Sequence, residues 1–364
     1  MSNIVFILGA GASRQCGAPL MSDFLDVASD LLRSNSVQEN RAEFERVFSA
    51  IGALQSVHSK AQLDLNNIES IFTVLELGRV IQRVPGLSSE QIDDAISALK
   101  KLIVKTIEVT MRFPTEGSYI GVPKPYAAFG DLLSHFYKDA FPTQTAAVIS
   151  FNYDIAADMA IYRADLGPHY VIESPSGQQD LVPLLKLHGS LNWAVEKNTA
   201  KIRPLHLRSY FQHYRYNSFG EKKYSTTRVP IGSQLVEYFS KYASTAVELE
   251  PVIVPPSWNK ADYHSALTDV WAAAAEHLSE AEQIFILGYS LPETDSFFRH
   301  LYALGSVGQS PLRRIAVFNP DNSGATDSRF RALLGPGASA RYEYQPMTFE
   351  QAIPHIKGLF PARR

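Results

Sequence analysis

Five short apolar runs, each stopping abruptly at small or polar residues, constrain this chain more than any other feature. They are Ile4–Leu8, Ala146–Phe151, Leu184–Leu187, Gln283–Leu287 and Arg314–Phe318. Most are nearly continuous in apolar residues rather than alternating, as strands covered on both faces require. Ile155–Arg163, Ala261–Leu278 and Thr294–Leu304 lie among them with apolar residues at helical spacing. Strands alternating with helices predict an α/β fold, a Rossmann-like doubly wound parallel sheet. Val252–Val254 and Arg341–Gln345 are weaker candidates for the same sheet.

Two stretches do not fit a minimal core of this kind. From about 40 to 140 there is almost no strand pattern. Leu63–Ile81 and Glu90–Val109 carry apolar residues at helical spacing, broken at Pro85-Gly86 and over Pro114–Pro125. The pattern predicts a helical subdomain, 40–140, inserted between the two parts of the core, 1–39 and 141–364. The second stretch, about 195–250, is polar, tyrosine-rich and irregular.

Composition narrows the class. With 364 residues, 45% hydrophobic and 20% charged, the chain can bury a large core. Its 34 basic and 37 acidic residues leave a charge of −3, so no overall cationic field recruits nucleic acid or a membrane. A single cysteine, Cys16, excludes an internal disulfide and any zinc site built on two to four cysteines. No run approaches the roughly 18 apolar residues of a membrane helix. The apolar start at 3–8 is short and lacks a basic leader, so it reads as a strand and not a signal peptide. A cytoplasmic protein is expected.

Chemistry concentrates where the apolar runs end. Ile4–Leu8 runs into Gly9-Ala10-Gly11-Ala12-Ser13, with a helix expected soon after. Strand, small-residue turn and helix make a phosphate cradle from backbone N–H groups. Arg14 stands where a dinucleotide fingerprint wants its third glycine, which counts against a dehydrogenase. The other runs end in Asn152-Tyr153-Asp154, His188-Gly189-Ser190-Leu191-Asn192-Trp193, Gly288-Tyr289-Ser290 and Asn319-Pro320-Asp321. In an open α/β sheet that carboxyl edge is where ligands bind. Each motif also has a plain structural reading. Gly9–Ser13 is then a tight turn, Asn152 and Asp154 cap the next helix, and His188 is a satisfied core histidine. Gly288–Ser290 and Asn319-Pro320 are in that case ordinary turns.

Taken in order, these motifs resemble the sirtuin family, and most closely its bacterial sirtuin-like NAD-hydrolase branch. The matching residues are Gly9-Ala10-Gly11-Ala12-Ser13, Asp23-Phe24, Ser150-Phe151-Asn152-Tyr153-Asp154, Leu187-His188-Gly189, Gly288-Tyr289-Ser290 and Asn319. The resemblance implies NAD as substrate. It implies that Asn152 and Asp154 sit at the nicotinamide ribose, with His188 the catalytic histidine. Gly9–Ser13 would hold the pyrophosphate, and Gly288, Ser290 and Asn319 the adenosine half. Phe24 and Phe151 are candidate walls around the nicotinamide. The cysteine zinc module that follows the His-Gly motif in protein-deacylating sirtuins is missing over 195–250, so no metal is expected and acyl-lysine peptide binding is disfavoured.

The same resemblance implies cleavage of the nicotinamide–ribose bond to ADP-ribose and nicotinamide, and an anti-phage role through NAD depletion. A zinc-free NAD-dependent deacylase and a non-catalytic NAD or ADP-ribose sensor are the alternatives. Implied partners are further copies of the chain and an activating protein, such as a hexameric HerA-type ATPase-helicase or a short Argonaute, with no membrane. Contact with nucleic acid would be indirect, although 197–228 carries eight Lys/Arg, one acid (Glu221) and the interleaved Tyr210, Tyr214, Tyr216 and Tyr224. Such a segment can grip phosphates and stack on bases, dock an acidic protein, or be a solvated loop or oligomer contact.

Overall fold

Every residue of Ile4–Leu8 is buried, as is every residue of Ala146–Ser150. Strands of that kind must lie inside a sheet with both faces covered. The structure is a computed structural model, and it describes residues 2–58, 60–139, 145–172, 181–196, 199, 201–217, 219–220, 225–242, 249–254, 261–292, 295–308 and 310–360. Its main sheet has seven strands: β1 (Ile4–Leu8), β2 (Ala146–Ser150), β3 (Gly167–His169), β4 (Leu181–Lys186), β5 (Gln283–Leu287), β6 (Arg314–Phe318) and β7 (Tyr342–Gln345). They lie in the order β7-β6-β5-β1-β2-β4-β3. Every pairing is parallel.

The fold is therefore α/β, with a doubly wound parallel sheet. From β1 the chain fills one side of the sheet through β2, β3 and β4, then returns to β5 on the other side of β1. The winding reverses at β1, which opens a crevice beyond the carboxyl ends of β1, β2 and β5. Helices close the sheet. Lys124–Ser134 packs on Ala156–Arg163 and Phe349–Leu359, while Ala261–Glu280 packs on Ser296–Gly305. Phe6, at the middle of β1, meets the Phe129 ring edge-on at 5.4 Å and stacks on Phe285 at 5.5 Å.

Residues 40–140 hold the helices Arg41–His58, Ile68–Val80 and Ser89–Thr110, with the last packed against both of the others. Phe44, Val47 and Leu54 recur at helical spacing and are buried. Ser88 and Gln91 form a reciprocal capping box that starts the third helix. The same stretch departs from expectation at its end. Phe113–Glu116 and Tyr119–Gly121 are strands of a four-stranded sheet completed by Phe219–Gly220 and Ser225–Thr227. Lys124–Ser134, also within 40–140, packs on helices that cover the main sheet.

Two other expectations are corrected. Val252–Val254, a candidate for the main sheet, belongs to Leu249–Ile253, which runs antiparallel to Gly189–Glu196 in a separate three-stranded sheet with Ile202–Pro204. The stretch 195–250, expected to be irregular, contains the helices Leu207–His213 and Ile231–Tyr242. Among the described residues no helix is long and apolar enough to cross a membrane.

Candidate functional site

The crevice at the reversal of the sheet is a cavity of about 750 Å³, within the roughly 300–1,000 Å³ usual for small-molecule sites. Its walls are built mainly from the loops that leave the strands, with residues from the helices Ile68–Val80, Ser89–Thr110 and Phe349–Leu359.

After β1 the chain enters a one-turn helix, Ala10–Arg14. Its glycines answer first to packing. The Gly11 N–H donates to the Gly288 carbonyl at 2.8 Å, and the Ala12 N–H to the Gly9 carbonyl at 2.9 Å. A Cβ on Gly9 would lie 2.5 Å from Tyr289 Cα, and one on Gly11 2.7 Å from the Gly288 oxygen. Gly288 itself has φ +63°, and its Cβ would fall 2.3 Å from the Ala12 nitrogen. The turns after β1 and β5 thus cross backbone on backbone, and only glycine fits there. Two amides expected to cradle a phosphate, those of Gly11 and Ala12, point to protein carbonyls. Ala10, Gly11 and Ser13 line the cavity, while Gly9 and Ala12 lie behind it.

The loop after β2 is held by a polar hub. Asn152 Nδ2 donates to the Gly9 carbonyl at 2.9 Å and to Ser13 Oγ at 3.1 Å. A carbonyl can only accept, so this contact sets which end of the amide is the NH₂. Ser13 Oγ donates its proton to Asp154 Oδ2 at 2.6 Å. The Tyr126 hydroxyl, 2.8 Å from Ser13 Oγ, must then be the donor in that contact. Asp154 Oδ1 accepts the Ala156 N–H at 2.9 Å, an Asx turn one residue ahead of the N-cap position, Ile155, that satisfies the first N–H of the helix. Burial pushes the Asp154 carboxyl up, against opposition from the Lys186 charge and the Ser13 hydrogen bond. Ser150 is buried behind the loop, its hydroxyl accepting the Asn152 N–H.

Beside this hub the site is aromatic. Phe151 stacks on Tyr289 with ring centres 4.5 Å apart and planes 6° from parallel, and Phe298 stands edge-on to both. His188, two residues beyond β4, sets its ring edge-on to Phe151 at 5.2 Å. Its carbonyl accepts the Val254 N–H. Gly189, at φ +87°, has the Val252 oxygen 2.0 Å from where a Cβ would sit, so the glycine of His-Gly admits the crossing strand Leu249–Ile253. Asn152, Asp154 and His188 all line the one cavity, as do Phe24, Gly288, Ser290 and Asn319. Asp23 does not line it. It accepts the Leu20 N–H and pairs with Arg14 at 2.6 Å.

Several contributors lay outside the sequence reading. Tyr126, which joins the hub behind the cavity, comes from Lys124–Ser134, and Asn67 and Glu69, which line the cavity, come from the start of Ile68–Val80. Arg329 holds the loop after β5, donating to the Ser290 carbonyl at 2.9 Å. Asp321 accepts from Ser323 and Thr326, which hold its carboxyl well below the usual range. Lys186 is fully buried at the end of β4. A lysine within the run Leu184–Leu187 was a usable signal, since a charge at a doubly covered position needs a partner. Among the described residues no group of three or more His, Cys, Asp or Glu is placed to hold a metal.

In the basic segment, Lys197, Glu221, Lys222, Lys223 and Tyr224 lie outside the described residues. Tyr210 is buried, with its hydroxyl on Gln234, and the Tyr214 ring lies 4.6 Å from it. Tyr210 is thus spent on packing and is not displayed for stacking on bases.

No family model matches the chain, and no curated protein matches it. Among solved structures it is similar to a Sir2 homologue in complex with NAD, at 12% identity and TM-score 0.40 over 98% of this chain and 90% of that one. It is similar to Sir2Tm bound to a propionylated peptide, at 12% identity and TM-score 0.39 over 98% and 92%. A mutant Sir2 homologue in complex with ADP-ribose gives 13% identity and TM-score 0.42 over 99% and 94%. Likenesses this distant reach the fold and not the function.

Proposed function

We propose that the cavity binds NAD and cleaves its nicotinamide–ribose bond with water, giving ADP-ribose and nicotinamide. The observation that carries this reading is the meeting of Asn152 and His188 on one cavity at the reversal of the sheet, beside the Gly-Ala-Gly turn. The motif resemblance to sirtuin-like NAD hydrolases supports it.

Nicotinamide leaves ribose C1′ with the electron pair of the C1′–N bond, and C1′ gains oxocarbenium character. Asn152 has its NH₂ committed to Gly9 and Ser13, so its Oδ1 is the end offered to a ribose hydroxyl or to water. The attacking water bonds to C1′ and gives its proton to His188. Asp154, with its oxygens engaged by Ser13 and Ala156, positions the hub and does not touch the reacting atoms. Phe24, Phe151 and Tyr289 supply an apolar wall that keeps bulk water from the pyridinium.

The test is chromatography of NAD incubated with pure protein. Wild type is expected to release ADP-ribose and nicotinamide, and His188→Ala and Asn152→Ala to lose about 10²–10⁴-fold in rate. Equal turnover by all three would end the reading. Nicotinamide release that needs an acetylated peptide would favour a deacylase, and binding without turnover a sensor. An anti-phage setting, with self-assembly and an activating ATPase-helicase or short Argonaute, rests on the resemblance.

A further inference from the structure

We propose that Lys186 is a positioning residue that ties the Asn152 loop to the strand carrying His188 and so sets the spacing of the two site residues. This rests on the hydrolase reading for its effect on turnover, but the clamp itself is a matter of structure.

The side chain lies at the end of β4, paired in register with Ser150 at the end of β2. It is two residues before His188, and Ser150 is two residues before Asn152. Its ammonium has three N–H donors and three acceptors: the Asp154 carbonyl at 2.5 Å, Ser190 Oγ at 2.5 Å and Asp158 Oδ2 at 3.0 Å. Lys186 and Asp158 are both fully buried. The acceptors come from three places: the Asn152–Asp154 loop, the helix that follows it, and the strand that starts after His188.

The arrangement continues outward and closes on itself. Ser190 Oγ donates to Asn192 Oδ1 at 2.6 Å, and Asn192 Nδ2 donates to the Tyr170 hydroxyl at 3.2 Å. That hydroxyl donates to Asp158 Oδ1 at 2.5 Å. From the same side, the Leu191 N–H donates to the Tyr153 carbonyl at 2.9 Å. The loop is thus held through its backbone at Tyr153 and Asp154, while Asn152 and His188 stay on the cavity side.

A buried ion pair is a poor way to gain stability, because well-packed apolar residues of like volume often do as well. Its use is geometric. An ammonium with three short, directed bonds fixes a loop where an apolar side chain would let it slide.

The test compares wild type with Lys186→Met, with the double variant Lys186→Met/Asp158→Leu, and with Leu99→Ala as a destabilised control in a buried helix away from the cavity. The readouts are Tm, hydrogen exchange over residues 151–156, and the kcat and KM for NAD. The double variant removes both members of the ion pair and is expected to regain most of the Tm lost by Lys186→Met. It should still exchange at least tenfold faster over 151–156 and lose at least tenfold in kcat, with KM within threefold of wild type. Leu99→Ala should lower Tm without either change. Wild-type exchange over 151–156 in the double variant overturns the clamp, as does recovery of kcat together with Tm. Faster exchange in the double variant beside a wild type that does not turn over NAD overturns the hydrolase reading and leaves the clamp standing.

Discussion

The two walls of the cavity hold their residues by opposite physics. On the Asn152 side, Ser13, Tyr126, Asp154 and Lys186 make short, directed hydrogen bonds with buried partners. On the His188 side, Phe151, Tyr289 and Phe298 meet face to face and edge to face. Hydrogen bonds lose value steeply with angle and distance, whereas ring packing tolerates a change of shape if the volume is kept. The polar wall is therefore the brittle one, and the aromatic wall the tolerant one.

The largest effect should come from breaking the polar wall. Asp158→Ala leaves the Lys186 ammonium buried without its carboxylate, and about 3–5 kcal/mol of stability is expected to be lost. Phe298→Leu, behind the aromatic wall, loses its ring contacts with Phe151 and Tyr289 and should cost less, about 1–2 kcal/mol. Denaturant unfolding of both variants checks this, and equal losses would break the comparison.

Next is the crossing where the walls meet. Gly288→Ala adds a Cβ at φ +63° and 2.3 Å from backbone nitrogen, so it combines conformational strain with a clash that only moving the β1 turn relieves. Gly324, at φ +81° with open space around it, isolates the conformational part, about 1–2 kcal/mol for an L residue in the left-handed region. Gly288→Ala should lower Tm well beyond Gly324→Ala. A similar drop in both would mean that the turns are not interlocked.

The smallest effect is in the pH response. His277 sits in the helix Ala261–Glu280, where burial holds its pKa below its ordinary value. From that same helix, Trp271 donates to the Leu187 carbonyl beside His188. Below about pH 6.5 the unfolded chain takes up a proton that the folded one refuses, so stability falls with pH until the lowered pKa is passed. Asp154, raised by burial, works in the other direction: its stabilisation is present at low pH and lost as pH rises past the carboxylate range. His277→Gln should flatten the decline in Tm between pH 7 and 5. An unchanged slope would remove His277 from the account.

The apolar runs were enough to place five of the strands in the main sheet, because doubly covered strands leave a signature that needs no knowledge of their neighbours. The motifs at their ends could be read for the same reason, since the carboxyl edge follows from strand direction. Lys186 was legible in principle as a charge inside an apolar run. The small sheets were not legible. Thr115 and Ser225 bond across 110 residues, and three-residue strands carry almost no local pattern. The reason for Gly9, Gly11 and Gly288 was hidden as well: a glycine motif looks the same whether it admits a phosphate or another backbone.

By itself the sequence determined that this chain folds around a parallel sheet and that its unusual polar residues lie at the carboxyl ends of the strands. Hydrophobic periodicity is a local property, written in neighbouring residues. Only the tertiary structure decided that Ser13, Tyr126, Asn152 and Asp154 share one hydrogen-bonded hub and that a buried lysine joins it to the His188 strand. Those contacts join residues up to 141 positions apart, and their partners are chosen by sheet order and side-chain direction, which no local pattern encodes.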